Sequence, residues 1–494
     1  MFTRCTPETA GVSSSAVLDM VRTLDERGLA THDLILARGD KIFVEGYWAP
    51  VHADFKHRQY SVSKSFIAVA VGFMIQDGKL HLNDKLVDFF PEYIEGNPNV
   101  NQHLRDTTVH DLLTMQTCHT DTPQWIEGGV TDRLSLYFAR PADKVPGTQF
   151  LYDSPGSFML CAIVERLAGK PYLEYLKEKV LLDIGFSPDA TCVKAPGGHS
   201  FGDSGILCTA RDLLAFARFV LNGGTWEGKR YLNEEFLRLA TSKQCDNNPC
   251  GITKFDGYGY GYLIWKAPRN GFAFIGMGDQ FAICDPETDI ILIIHSDNQG
   301  KAEITRELIY RKFYENVVLP AKESLPEDTA AQQELNDYLS SRTLLAVSEN
   351  PHNAYYREIN GVTYTLEKNP MEIAWVRFSF DGETGTMYYQ NAQGKKELPF
   401  GLGKNVFSKF PQEGYSDETA SIPAPGNRYD CAASADWPEP QKLRIKVQAI
   451  DKYFGNLNMT FRFKGDEVAV LMEKNAEAFF NEYRGNACGK RADA

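Results

Sequence analysis

Ser61 opens the run SVSKSFIAVAVGFMIQDGKL (61–80). From Phe66 to Ile75 apolar residues occupy nearly every face, which marks a helix buried on all sides rather than one lying on a surface. Asp77-Gly78 stops it, since glycine after the last periodic residue is helix-ending chemistry. The polar first turn, Ser61-Val62-Ser63-Lys64, sets a hydroxyl and an amine three residues apart, hence on one helix face. A helix start leaves its first backbone N–H groups unpaired, so the Ser61 amide is available to an oxyanion. A serine hydroxyl attacks well only when an adjacent base takes its proton. Lysine serves as that base when burial and nearby positive charge depress its ordinary pKa of about 10.4. The same residues also suit an N-capping serine with a solvated lysine one turn on, and the local pattern leaves both readings open.

Upstream, DLILARGDKIFVEGYW (33–48) alternates apolar and polar residues around Gly39-Asp40, the pattern of a β-hairpin with a tight turn. Its Arg-Gly-Asp triplet is read as that turn rather than as an adhesion signal. Downstream, TTVHDLLTMQ, SPGSFMLCAIVERLAG and TARDLLAFARFVLNGG are helical, the last two closing on glycine. Between about 258 and 297 the period returns to strands, in YGYGYLIWKA, GFAFIGM, QFAICD and DIILIIHSD. A helix, AEITRELIYRKFYENVV, follows and ends before Pro320. Strands early and late with helices between them predict an α/β (α+β) domain over 1–320. One antiparallel sheet would be built from both ends of that span, flanked by helices and carrying an all-helical lobe. Residues 321–350 are polar and read as a linker with one short helical stretch, AAQQELNDYLSS. From 351 to 494, alternating runs such as MEIAWVRFSFDG, GTMYYQNA, LRIKVQAID and LNMTFRFKG predict an all-β accessory domain, a small barrel or sandwich. Its ending, FFNEYRGNACGKRADA, reads as a final helix and a loose tail.

With 43% hydrophobic and 24% charged residues, the composition is that of a soluble globular protein. No apolar run is long enough to span a bilayer. The first thirty residues lack a secretory h-region, and ten cysteines without framework spacing suit reduced thiols. A cytoplasmic location is therefore expected. Cys245 and Cys250 stand close together, but a zinc site needs two more ligands and the sequence supplies none nearby. A net charge of −13 argues against nucleic acid or an anionic membrane as partner.

Two further motifs bear on Ser61. PGTQFLYDSPGSFML (146–160) puts Tyr152-Asp153-Ser154 at a helix entrance. A tyrosine there is commonly a core ring; beside a lysine its phenol can instead relay protons between nucleophile, leaving group and water. Gly276-Met277-Gly278-Asp279-Gln280 is read as strand, where glycines imply close approach by another backbone or a ligand. As an edge strand beside Ser61 it would offer a second oxyanion donor. An ordinary bulge or turn fits those residues equally well.

Together, S-x-x-K on a helix, Y-x-S within PGTQFLYDS and a glycine-bearing strand resemble the serine β-lactamase and penicillin-binding-protein superfamily. The chain is most similar to the branch of class C β-lactamases, esterases, D-aminopeptidases and 6-aminohexanoate-oligomer hydrolases, over residues 5–318. That resemblance implies Ser61 as the acylated nucleophile, Lys64 as its partner and Tyr152 as general acid/base. It implies an oxyanion hole from the amides of Ser61 and Asp279, with Gly276, Met277, Gly278 and Ser154 beside the substrate. It also implies a small-molecule ester or amide, or a short peptide, as substrate and neither a metal nor an organic cofactor. Where many relatives carry asparagine this chain has Ser154. Where K-T-G or H-x-G supplies a cation for a carboxylate it has Gly-Met-Gly, so cleavage of penicillins or D,D-peptides is not expected. Asp279 replaces a common glycine; such a residue is more often simply structural, and an acidic group at the pocket edge would alternatively favour an amine-bearing substrate. Acyl transfer from the same intermediate and a non-catalytic binding or sensor role are the alternatives. The intact Ser/Lys/Tyr set argues against the second. His119, Trp125, Tyr258 and Tyr260 are further candidates to wall the cleft, and Gly197-Gly198-His199 lacks the G-K-[ST] of a phosphate loop.

Overall fold

The computed structural model describes residues 2–120, 132–247, 254–416, 418–419, 426–476 and 479–492. It divides into two compact units, Met1–Thr343 and Leu344–Ala494. Twelve described strands lie in the first. They are β1 (Thr3–Arg4), β2 (Thr31–Arg38), β3 (Lys41–Tyr47), β4 (His57–Arg58), β5 (Thr191–Cys192) and β6 (Ile206–Cys208). Then come β7 (Thr225–Trp226), β8 (Lys229–Arg230), β9 (Trp265–Lys266), β10 (Phe272–Gly276), β11 (Gln280–Asp285) and β12 (Ile290–Ser296). Seven form the main sheet in the order β1-β3-β2-β12-β11-β10-β9. Its pairs are antiparallel except for β1 on β3.

The centre of this sheet is where the early and late strands meet. Ile35 of β2 pairs with Ile293 of β12, and every residue of β12 is buried. Such an unbroken apolar run, IILII, suits a strand covered on both faces. The Ala210–Leu221 helix lies against β2, β11 and β12. Thr209 caps it reciprocally with Asp212, satisfying two of the amides a helix start leaves unpaired. The Ser63–Gln76 helix is buried from Ser63 to Met74, as its all-round apolar face requires, and packs on the Ser154–Ala168 helix. Its Phe66 ring stacks on Phe216 with centroids 3.7 Å apart. Among the described residues no helix is long and apolar enough to cross a membrane.

The polar stretch after 320 holds a helix, Thr329–Ser340, that packs on the Ser14–Glu26 helix and on β3 and so lies within the first unit. Three inward residues, Ala331, Leu335 and Leu339, attach it. The second unit is a closed nine-stranded barrel with one strand added. Its strands are β13 (Thr363–Leu366), β14 (Trp375–Asp381), β15 (Thr384–Asn391), β16 (Gly394–Leu402), β17 (Val406–Lys409), β18 (Asp430–Glu439), β19 (Lys442–Ile450), β20 (Phe454–Lys464), β21 (Glu467–Ala476) and β22 (Gly485–Arg491). The order runs β16-β15-β14-β13-β22-β21-β20-β19-β18-β17, and β16 closes the ring by pairing parallel to β18. Residues 485–491, expected as a loose tail, form β22 between β13 (Thr363–Leu366) and β21 (Glu467–Ala476). The final helix amounts to a single 3-10 turn, Asn481–Tyr483. The inward residues of β22 are Ala487 and Gly489, too small to leave an apolar alternation in the sequence.

Candidate active site

Ser61 sits in one 3-10 turn, Tyr60–Val62, that runs directly into the Ser63–Gln76 helix. Tyr60 adopts φ +47°, a left-handed conformation that is rare for an aromatic residue. Its ring is buried beneath the Arg58 guanidinium, 4.6 Å from the ring centre. Ser61 itself is half-buried, whereas Lys64 is 1% exposed. Lys64 Nζ donates to Ser61 Oγ at 2.8 Å and to the Asp203 carbonyl at 2.8 Å. The amine is thereby fixed on the hydroxyl rather than solvated.

The carbonyl of Asp203 stays in place because the residue's side chain is pinned. Arg133 grips both carboxylate oxygens, at 2.6 and 3.3 Å, and its guanidinium lies over the Phe158 and Phe201 rings. Arg58 Nε holds the next carbonyl, that of Ser204, at 2.9 Å.

Tyr152 joins the pair from the far side. Lys64 Nζ stands 5.2 Å from the centre of its ring, and the ring's stacking partner is Trp265, at 5.6 Å between centroids. Asp153 fixes the approach of this segment. One carboxylate oxygen caps the Ser154–Ala168 helix through the Gly156 amide at 2.9 Å, and the other accepts from Thr117 Oγ1 at 2.7 Å. Ser154 is the buried first residue of that helix, directly after the cap.

The glycine motif differs from the expected strand. Only Gly276 and Gln280 are in strands, β10 and β11, and Met277–Asp279 is the turn between them. Gly278 at φ +78° and Asp279 at φ +67° reverse the chain. β10 is also not a plain edge: β9 covers Phe272 and Ala273, while the latter end lies against the turn that carries Ser61. A methyl on Gly276 would sit 2.4 Å from the Gln59 carbonyl oxygen, so glycine is what lets the strand end approach Ser61. Gln280 Nε2 ties the turn down, donating to the Met277 carbonyl at 3.0 Å and to Ser296 at 2.6 Å.

Asp279 does not present its carboxyl to a pocket. The side chain is fully buried, accepting from Thr305 Oγ1 and from Asn298 Nδ2 at 3.1 Å. Arg306 Nε lies 3.9 Å away and is itself paired with Asp256. Burial raises the Asp279 pKa to about 6, against the opposing pull of Arg306, Thr305 and Asn298. The structural reading of Asp279 fits this burial, and the alternative of an amine-bearing substrate loses its basis. The left-handed turn at 278–279 aims the side chain inward, where an arginine waits.

Among the other candidates, His119 is a core residue, its Nδ1 2.9 Å from the Pro141 carbonyl and its ring edge-on to Tyr137. Tyr260 is buried against Trp265, and Tyr258 is exposed. Cys245 is a buried free thiol. Trp125 and Cys250 lie outside the described residues. Asp203, Arg133 and Trp265 escaped the sequence reading, because contacts spanning 70 or more residues leave no local spacing to find.

The Beta-lactamase family model matches residues 19–314, a span that includes every residue just described around Ser61. The 6-aminohexanoate-dimer hydrolase of Paenarthrobacter ureafaciens is 26% identical over 294 residues, 56% of this chain and 74% of that protein. The solved structure of a family VIII carboxylesterase superposes with a TM-score of 0.50 at 16% identity, over 64% of this chain and 99% of the other. At that identity the likeness speaks for the fold alone. Through the family match over well more than half its length, the chain belongs to the Beta-lactamase family and is a serine hydrolase of that family.

Proposed function

We propose that the chain cleaves an ester or amide bond of a small molecule through an acyl-enzyme on Ser61. What carries this reading is the buried Lys64 amine, 2.8 Å from the hydroxyl of half-buried Ser61. A structural lysine has no reason to be spent on a serine, since taking an ammonium out of water costs several kcal/mol on the order of magnitude. In the reactive state the bond reverses: neutral Lys64 accepts the Ser61 proton as Oγ attacks the carbonyl carbon. Tyr152, next to Lys64, then passes a proton to the departing alcohol or amine. Tyr152, left as the phenolate, then draws a proton from water, which attacks the ester carbon; Ser61 Oγ departs with the proton held on Lys64, and the acid is released.

The developing oxyanion needs two donors near Ser61. One is the Ser61 amide. For the other, the Met277–Asp279 turn follows the end of β10 that abuts Gln59, and an amide of that turn, that of Asp279 by the resemblance, is the candidate. Gly-Met-Gly brings no cation to the oxyanion end of the site, and the stacked Tyr152 and Trp265 rings offer an apolar wall. An uncharged acyl group suits such surroundings.

The test is intact-protein mass spectrometry after treatment with a fluorophosphonate and with a series of p-nitrophenyl esters. Wild type should gain one adduct and Ser61→Ala none. Lys64→Ala and Tyr152→Phe should slow turnover by roughly a hundredfold or more, the scale for losing acid–base help. Equal turnover by Ser61→Ala and wild type would overturn the mechanism.

A further inference from the structure

Beneath the Ser61 turn runs a buried polar chain that the mechanism above does not use. His295 on β12 faces Asp33 on β2 across the sheet, its Nδ1 2.8 and 3.0 Å from the two carboxylate oxygens. Both side chains are at most 2% exposed. A ring nitrogen set against a carboxylate carries a proton, and in the neutral ring Nε2 is then the acceptor. The Gln59 amide lies across that atom, its nitrogen at 3.0 Å and its oxygen at 3.2 Å; the nitrogen donates to the neutral ring, and its second hydrogen goes to the His57 carbonyl at 3.1 Å. Turning the amide over would bring its oxygen against the His57 carbonyl, acceptor on acceptor, so the orientation is set. His57 stacks on the His295 ring at 4.5 Å and donates to or accepts from His32 at 2.9 Å. Burial, then the neighbouring His295 and His32, hold the His57 pKa well below the usual imidazole range.

The far end of this chain is the backbone that leads to Ser61. Gln59 donates its own N–H to Ile206 of β6 at 2.8 Å, and its carbonyl is the atom that Gly276 approaches. One residue on, Tyr60 is in the left-handed region, which is strained for a residue with a side chain and persists only where the surroundings over-determine it. We propose that Asp33, His295 and Gln59 are positioning residues: they clamp the backbone at 57–60 and so set Ser61 against the end of β10. The proposal rests on Ser61 being the nucleophile.

Three full-length variants separate this role from plain packing. Gln59→Met removes the amide at similar size. His295→Asn keeps an amide donor for Asp33 but withdraws the acceptor from Gln59. His295→Gln reaches further and returns a carbonyl oxygen to the place of Nε2. Two quantities are measured: hydrogen exchange of the backbone at 57–62, and the rate of Ser61 modification by a fluorophosphonate over a range of concentrations. Gln59→Met and His295→Asn should exchange faster at 57–62. They should lose about tenfold or more in maximal modification rate, with half-saturating concentration unchanged, as misplacement of a reacting atom predicts. His295→Gln should stay within about threefold of wild type, and its rescue holds even if His295→Asn folds poorly. Wild-type rates and exchange in folded Gln59→Met, or a His295→Gln as slow as His295→Asn, would overturn the proposal. A wild type that never takes the label at Ser61 sinks the acyl-enzyme reading instead, and exchange at 57–62 in Gln59→Met still decides on the clamp.

Discussion

Replacing Asp279 with asparagine gives a sharp test of how its buried carboxyl is balanced. The ordinary value of 3.8 is raised to about 6, with burial the largest cause. A carboxyl whose folded pKa is raised favours the folded state while protonated. That contribution is complete below the unfolded value and is lost as the pH climbs from about 3.8 through about 6. At about 1.4 kcal/mol per pH unit, the difference is worth about 3 kcal/mol. Asparagine does not titrate, and the remaining groups titrate alike in both proteins, so the stability difference isolates this one carboxyl. Between about pH 4 and pH 7.5 the balance should move by roughly 2 kcal/mol in favour of Asp279→Asn, since part of the contribution is already lost at pH 4. The lost attraction of Arg306 adds a constant offset of either sign, which is why the slope and not the absolute difference is the observable. Equilibrium urea unfolding of both proteins at four or five pH values, followed by intrinsic fluorescence, measures it. A difference that is flat with pH, or that moves toward wild type as pH rises, would refute the reasoning. It would mean that Arg306 outweighs burial and that the turn is held by a true ion pair.

Two further substitutions probe the frame around Ser61. Gly276→Ala places a methyl against the Gln59 carbonyl, backbone to backbone, so β10 must retreat. A cost of about 1–3 kcal/mol in urea unfolding and slower fluorophosphonate labelling of Ser61 are expected, and unchanged labelling would show that β10 is not seated there. Arg133→Met strands the Asp203 carboxylate in a site where it is 2% exposed. The expected loss is about 3–5 kcal/mol of stability, with slower labelling as the Lys64 acceptor shifts; a stability within measurement error of wild type would count against the pinning.

How much of this could be read from the chain depended on the range of the interaction. The Ser63–Gln76 helix was legible because a run with no polar face leaves few structural options, while the i, i+3 spacing of Ser61 and Lys64 allowed their contact without deciding it against a solvated lysine. Tyr152 had to be brought in by resemblance, since nothing in spacing says that a residue 88 positions after Lys64 will lie over its amine. Met277–Asp279 was taken for strand for a local reason. Two glycines flanking a methionine look like strand or turn alike, and the φ values that turn the carboxyl inward are not encoded by period. The Arg133–Asp203 and Asp33–His295 pairs were invisible, because each partner taken singly is an unremarkable polar residue in a mostly apolar neighbourhood.

The pairing of β2 with β12 joins residues more than two hundred positions apart, Ile35 with Ile293 among them. At the usual pace of about 5–20 residues per second, a ribosome needs roughly 10–50 s to deliver the second strand after the first. During that interval β2 has β3 on one side and a bare edge on the other, and Ser61, already synthesised, lacks both His295 below it and Gly276 beside it. The surroundings of the proposed nucleophile are therefore completed late, although its codon is read early. A growing chain carries its serine unarmed until the closing strand emerges.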